Sequence, residues 1–227
     1  MHCLWCDAAI IPSVSWETLI FLSEPSELCP SCEETLAFLQ GERCSKCSRL
    51  SKTDPCPDCR EWDKGVNAED PLVWNHSVFT YNEAMKAMMA RWKYRGDYCL
   101  GRAFRKYYRQ EFGETFSFLP KETSVVPIPL SDERLQERGF NQAEMLASFV
   151  PLATRDILTR THRDKQAKKT RQERLEADNP FNLTERIENP VILADDIYTT
   201  GTTLRNAASV LKKQGCPAVY AYTLIRG

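Results

Sequence analysis

The 227-residue sequence predicts an α/β fold, a mostly parallel sheet with helices on both faces, preceded by a small cysteine-rich domain. Three observations predict it. From Leu72 onward, apolar β-rich stretches alternate with helical periods, the order that builds a parallel sheet through helical crossovers. Residues 191 to 214 read as strand, hydroxyl-rich turn and helix without interruption. Eight of the ten cysteines precede residue 60 and form four C-x-x-C pairs, Cys3/Cys6, Cys29/Cys32, Cys44/Cys47 and Cys56/Cys59.

The cysteine pairs predict metal sites. A reducing compartment disfavours structural disulfides, whereas a two-residue gap lets both thiolates of a knuckle reach one tetrahedral ion. Two Cys₄ Zn²⁺ sites account for all eight. Sequential pairing puts Cys3, Cys6, Cys29 and Cys32 on one ion and Cys44, Cys47, Cys56 and Cys59 on the other, giving two consecutive zinc ribbons; spacing leaves an interleaved pairing open. Four thiolates per ion leave no open position, so the sites are structural, and metal binding supplies much of the folding free energy of so short and polar a segment. Ser15 to Leu22 and Glu33 to Leu39 are short apolar stretches able to brace the ribbons. Polar residues Glu61 to Asp70 and then Pro71 place the boundary between a domain at 1–70 and one at 71–227. Charge divides there too: residues 1–70 hold 6 Lys/Arg against 13 Asp/Glu, and residues 71–227 hold 24 against 18. Cys99 and Cys216 stand alone as ordinary packed or partly exposed residues.

In the second domain, Leu72 to Tyr81 reads as a strand and Asn82 as the N-cap of a helix to about Tyr94, with Met85, Met88, Met89 and Trp92 facing a core. A second helix, about Tyr98 to Phe112, buries Leu100, Ala103, Phe104, Tyr107 and Tyr108. Ser124 to Ile128 is a strand, and Asn141 to about Ala153 a helix with Met145, Leu146, Phe149 and Val150 inward. Ile157 to Thr161 is expected as the next strand. Val191 to Ala194 has the continuous apolar character of a central parallel strand. Thr202 to Gln214 is a helix with Leu204, Ala207, Ala208 and Leu211 on one face and Gly215 as its stop, and Ala218 to Leu224 is the last strand.

The turn between residues 194 and 202 lies where a strand ends and a helix begins, so free backbone N–H groups and the helix dipole favour a phosphate there. Asp195 and Asp196 leave the strand just before it, placing carboxylate oxygens where sugar hydroxyls can donate to them. The whole string, Val-Ile-Leu-Ala-Asp-Asp-Ile-Tyr-Thr-Thr-Gly-Thr-Thr, resembles the phosphoribosyl-pyrophosphate (PRPP) signature of type I phosphoribosyltransferases. That resemblance implies a 5′-phosphate cradle at Thr199, Thr200, Gly201, Thr202 and Thr203. It implies ribose 2′ and 3′ hydroxyls on Asp195 and Asp196, and Mg²⁺ bound with PRPP. It also makes Val126 to Leu130 the pyrophosphate loop, with Pro127, Ile128 and Arg138 as pyrophosphate-side candidates and Arg134 and Gln142 nearby. Purine-type members usually carry an Asp where this loop begins with Thr199, and threonine cannot be their general base.

Two basic sets remain. Arg160 to Arg174 holds seven Lys/Arg against two acids with no apolar period, a composition suited to an active-site loop or to a nucleic-acid backbone. Arg91, Lys93, Arg95, Arg102, Arg105, Lys106 and Arg109 form the other, their cations expected on the outer face of helices whose rings face the core. Lys93, Arg95, Lys165, Lys168, Lys169, Arg171 and Arg174 are therefore nucleic-acid candidates, with Trp92 and Tyr94 as possible stacking partners for bases.

The four-knuckle module, Trp-Lys-Tyr-x-Gly, Val-Pro-Ile-Pro-Leu, Arg-Gly-Phe-Asn-Gln and the acidic-hydroxyl loop together resemble the bacterial ComF family of late-competence proteins over nearly the full chain. The resemblance implies a cytoplasmic role in DNA uptake during natural transformation, acting on the incoming single-stranded DNA with a helicase-like ATPase partner, ComFA. A cytoplasmic location also fits the absence of any apolar run near the roughly 20 residues of a membrane span. The first residues lack a signal-peptide pattern as well. The expectation is a binding protein whose PRPP site senses PRPP or a related nucleotide and whose acidic ribbon domain docks a protein partner. The alternative is an active Mg²⁺-dependent phosphoribosyltransferase with an unidentified base, nucleotide or nucleic-acid acceptor.

Overall fold

The computed structural model describes residues 1–11, 26–63, 70–161 and 179–227. Among them the strands are β1 (Asn75–Thr80), β2 (Ser124–Pro127), β3 (Ala153–Thr154), β4 (Leu158–Arg160), β5 (Phe181–Leu183), β6 (Val191–Tyr198) and β7 (Val219–Arg226). The α-helices are α1 (Pro30–Glu33), α2 (Pro57–Asp63), α3 (Glu83–Tyr94), α4 (Arg105–Thr115), α5 (Asp132–Arg138), α6 (Gln142–Ser148) and α7 (Thr202–Lys213), with a 3₁₀ helix at Tyr98–Phe104. Five strands form one sheet in the order β1-β7-β6-β2-β3, and every neighbouring pair is parallel. The predicted mixed α/β fold with a mostly parallel sheet is the one observed.

Period-two alternation sends successive strand residues to opposite faces. Val125, Ile192, Ala194, Tyr222 and Leu224 join one core with α3, α4 and α6, among Met85, Met88, Met89, Trp92, Phe104 and Tyr108. Val126, Val191, Leu193, Val219 and Ala221 join the other, against Leu204, Ala207, Ala208 and Leu211 of α7. The first cysteine knuckles belong to the first core and the second knuckles to the second. Each face of the sheet therefore carries its own Cys₄ module.

Local chemistry explains most element ends. Asn82 caps α3 by accepting from the Met85 N–H at 2.8 Å, while its Nδ2 donates to the Thr35 carbonyl at 2.9 Å. A cap of that type contributes about 1 kcal/mol. The exposed edge of β1 is covered from the chain between the two knuckle modules. Leu39 N–H donates to Val78 O, and Thr80 N–H donates to Ala37 O, each at 2.9 Å. The buried ring pair Tyr108 and Tyr222 satisfies both hydroxyls reciprocally, Tyr108 Oη donating to the Tyr222 carbonyl at 3.0 Å and Tyr222 Oη to the Tyr108 carbonyl at 2.6 Å.

Several elements differ from the sequence expectation. The helix expected at about Tyr98 to Phe112 begins as a 3₁₀ segment and becomes α-helical at Arg105. Gly101 seats its backbone so closely on the core that an added Cβ would lie 2.3 Å from Met145 Sδ and 2.8 Å from the Trp92 ring, and the tighter winding accommodates that approach. Tyr107 is half-buried rather than inward, its hydroxyl donating to Glu33 of the first module. The helix expected to about Ala153 stops at Ser148 because Pro151 disfavours helical geometry at the residue before it. The Ile157 to Thr161 stretch is not a strand of the main sheet. Ala153–Thr154 takes the sheet edge, its pairing with β2 completed by Arg155 N–H donating to the Val125 carbonyl at 2.9 Å, and β4 pairs antiparallel with β5 instead. Helix α5 was not expected. It is capped by Ser131 and stopped by Gly139 at φ +76°, but it buries no residue and so shows no apolar period.

Candidate functional site

The carboxyl ends of β2 and β6 form the floor of a cavity of about 120 Å³. Lys93, Ile128, Pro129, Leu130, Arg134, Arg138, Arg160, Asp195, Asp196 and Thr203 line it. Strand β6 continues four residues past the predicted Ala194, because β7 is equally long and pairs with it through Tyr198↔Arg226. Asp195 and Asp196 thus sit within the strand rather than beyond it, and the sheet fixes their backbone.

The two carboxylates differ. The Asp196 N–H donates to Asp195 Oδ1 at 2.9 Å, and Asp196 itself lies 2.5 Å from Lys93 Nζ. Burial first, and then the neighbouring Asp196 charge, push Asp195 up to about 7, against the opposing pull of the Asp196 N–H, Lys93 and Arg160. Lys93 comes from the last turn of α3 and its side chain is 12% exposed, so it lies inside the cavity rather than on the outer helix face. Arg95, just beyond that helix, is exposed.

The hydroxyl turn follows Tyr198. Thr199, Thr200 and Thr202 are exposed, Thr203 reaches the cavity, and Gly201 begins α7 in the left-handed region at φ +80°. Thr200 and Thr202 hydroxyls lie 3.0 Å apart and Thr202 N–H donates to Thr200 Oγ1 at 3.4 Å. Pro127 ends β2, buried, and Ile128 N–H bonds to the Ala194 carbonyl of β6 at 2.9 Å, holding the loop after β2 against that strand. Asn141 caps α6 and donates to the Ile128 carbonyl at 3.1 Å, tying the Arg-Gly-Phe-Asn-Gln string to the same edge. Arg138 Nη1 donates to Gln142 Oε1 at 2.9 Å and the guanidinium sits 5.7 Å from the Tyr94 ring centroid. Arg138 Nε and Gln142 Nε2 are buried donors with no protein acceptor, beside a cavity suited to an anion.

The structure therefore brings together Asp195, Asp196, Thr203, Ile128 and Arg138 at one cavity and adds Lys93, Arg134 and Arg160 as its cations. Lys165, Lys168, Lys169, Arg171 and Arg174, like the Ser15 to Leu22 brace, lie outside the described residues. Lys93 was legible only as a helical cation. Its contact with Asp196 spans 103 positions of sequence, and no local pattern announces it.

Among the described residues the cysteines form two groups, Cys3, Cys6, Cys29 and Cys32, and Cys44, Cys47, Cys56 and Cys59. Pairing is sequential, not interleaved. Within each group all Sγ atoms lie within 4.8 Å of one another. Cys6 and Cys29 are 3.6 Å apart, and Cys47 and Cys56 3.7 Å. Those separations are far from the roughly 2.05 Å of a disulfide. They match the roughly 3.8 Å edge of a tetrahedron whose sulfurs lie about 2.3 Å from a central ion. The donor sets therefore fit zinc ribbons.

A five-stranded parallel sheet with a carboxylate pair and hydroxyl turn at the end of its central strand, and a Cys₄ module packed on each face, defines an α/β protein of the ribbon-bearing kind. Competence protein ComFC of Bacillus subtilis is 38% identical over 230 residues, covering 99% of this chain and 94% of that protein. The chain belongs to the ComFC family. ComFC of Streptococcus pneumoniae is 32% identical with complete coverage of both chains, and the DNA utilization protein YhgH of Escherichia coli is 27% identical over 223 residues, 88% of this chain and 96% of its own. No protein-family model matches the chain. A hypoxanthine phosphoribosyltransferase from Staphylococcus aureus overlays 56% of this chain and 64% of its own, with 16% identity and a TM-score of 0.37.

Proposed function

We propose that this chain is a competence protein that handles incoming single-stranded DNA in the cytoplasm, with a PRPP-type pocket that binds PRPP or a related nucleotide together with Mg²⁺. The observation that carries the pocket is the convergence of Asp195, Asp196 and Thr203 with Lys93, Arg134, Arg138 and Arg160 in one cavity at a strand-to-helix turn. Carboxylates accept from ribose hydroxyls, the loop N–H groups and helix dipole take the 5′-phosphate, and the cations offset pyrophosphate charge. Mg²⁺, bound with the ligand beside Asp195 and Asp196, would supply further charge neutralisation. Support for the DNA role comes from the relatives, which are competence and DNA utilization proteins. Lys165, Lys168, Lys169, Arg171 and Arg174, with exposed Arg95, are the residues proposed to meet the strand, and a ComFA-like helicase ATPase is the proposed partner. Zn²⁺ is the proposed occupant of both Cys₄ groups. No helix among the described residues is long and apolar enough to cross a membrane.

Binding is favoured over transfer because Thr199 offers a hydroxyl where a purine-type enzyme would hold a carboxylate. Incubating the protein with Mg²⁺, PRPP and single-stranded DNA, while measuring both binding and pyrophosphate release, tests the reading. Saturable PRPP binding that is lost in the double variant Asp195→Ala/Asp196→Ala, without pyrophosphate release, supports it. PRPP binding that persists in the double variant rejects the pocket, and release that depends on an acceptor replaces the binding protein by a transferase.

A further inference from the structure

Tyr198 ends β6 and is the last residue before the hydroxyl loop, and it is 2% exposed. Two arginines hold it. Arg205 of α7 donates from Nη1 to Tyr198 Oη at 2.7 Å, and Arg226 of β7 donates from Nη1 to the Tyr198 carbonyl at 3.0 Å. The Arg226 guanidinium also lies 4.9 Å from the Tyr198 ring centroid. There is no slack above this arrangement. A Cβ added at Gly201 would fall 2.2 Å from Tyr198 Oη and 2.3 Å from Arg205 Nη1, so the phosphate turn rests directly on the Tyr198–Arg205 pair.

Both arginines lead to the second Cys₄ module. Arg226 Nη2 lies 3.8 Å from Cys47 Sγ. Arg205 sits with its guanidinium 4.5 Å from the centroid of Trp62, on the helix α2 that also carries Cys59, and pairs with Asp70 through Nε at 3.1 Å and Nη2 at 2.8 Å. Arg205 therefore has a buried carboxylate, whereas Arg226, 7% exposed, has only the Tyr198 and Gly227 carbonyls and the Cys47 sulfur as polar neighbours, and its Nε has no partner. A buried guanidinium without a counter-charge is costly. A Zn²⁺ held by four thiolates carries a net charge of about −2, which supplies that counter-charge.

We infer that the second Cys₄ centre supports the phosphate turn: its metal and a ligand at Thr199 to Thr203 stabilise each other through Arg226 and Tyr198. Arg226 and Tyr198 are positioning residues, since neither is in the cavity lining. This rests on the ribose-phosphate reading of the cavity. Linkage makes the effect reciprocal, because a factor by which the metal strengthens phosphate binding must equal the factor by which phosphate strengthens metal binding.

The experiment follows chelator-driven loss of zinc from the fully loaded full-length chain, with and without ribose 5-phosphate, alongside calorimetric binding of ribose 5-phosphate. In the wild type, ribose 5-phosphate is expected to lower the release of one zinc equivalent of the two by about 5-fold or more. Arg226→Met should abolish that protection and weaken ribose 5-phosphate by a matching factor, and Arg226→Lys should restore part of both. Calorimetric binding with both equivalents indifferent to ligand overturns the inference. If the wild type binds no ribose 5-phosphate, the reading of the cavity fails, and the support is judged without ligand. Gly201→Ala and Arg226→Met should then each hasten loss of one equivalent only, and unchanged release in both overturns it.

Discussion

The two Cys₄ modules use the same ligands and each joins a hydrophobic core, yet the charged contacts that tie them to the sheet differ in burial. The first packs Cys3, Leu28, Cys29, Cys32 and Leu36 into the α3–α4 core and adds partly exposed polar pairs at its margin. Arg91 donates to the Trp5 carbonyl at 2.8 Å and lies 5.6 Å from that ring, Arg102 reaches Glu27 at 2.5 Å, Lys106 lies 3.8 Å from Glu33, and Tyr107 donates to Glu33. Its Cys6 is exposed. The second module is buried at all four cysteines and is joined to the core by Ser48 donating to the Asn75 carbonyl at 2.7 Å, by Arg226 beside Cys47, and by Arg205 between Asp70 and Trp62. Exposed pairs are individually worth about 0–1 kcal/mol, while breaking a buried charged pair costs about 3–5 kcal/mol. The acidic surface of the first module is thus partly consumed inside the chain, and the second module is part of the foundation of the site.

Removing a ligand from each centre breaks the comparison most directly. Cys59→Ser is expected to lower stability by several kcal/mol and to abolish ribose 5-phosphate binding, with Cys6→Ser keeping that binding within about 2-fold; thermal melts and calorimetry on the two variants check it. Next in size is Arg205→Met, which leaves Asp70 buried without its cation. A loss of about 3–5 kcal/mol is expected by denaturant titration, and Asp70→Asn together with Arg205→Met should recover part of it.

Asp195 gives a change of opposite sign. Its carboxyl is pushed up to about 7, so the folded chain keeps a proton that an unfolded carboxyl gives up near pH 4. Stability from that proton is complete below about pH 4 and is lost progressively as pH rises to about 7. Asp195→Asn is therefore expected to be more stable than the wild type at pH 8, by about 2–4 kcal/mol, with the gain vanishing towards pH 4. The same variant should lose ribose 5-phosphate binding. Melts across pH 4 to 8 with a constant difference between the two proteins would reject the assignment. The smallest effect belongs to the first module: Arg102→Ala is expected to cost at most about 1 kcal/mol, falling further in high salt.

What local sequence determines here is whatever one short segment encodes by itself. The knuckles are chelates closed over two intervening residues, the hydroxyl turn is contiguous with the strand and helix that aim it, and Met85, Met88, Met89 and Trp92 declare their face by helical period. Apolar continuity likewise marks Val191 to Ala194 as central, and the fold class follows from the alternation. Tertiary structure decided the rest. It chose sequential cysteine grouping, gave the sheet edge to Ala153–Thr154 while β4 paired with β5, and carried β6 past Asp195 and Asp196 because β7 was long enough to pair with it. It alone put Lys93 on Asp196, Asp70 on Arg205 and Arg226 between Cys47 and Tyr198. A charged side chain has no period and no preferred spacing to a partner across a sheet. Its role appears only when folding removes the water that would otherwise have satisfied it, and Coulomb energy then decides which distant group must take that place.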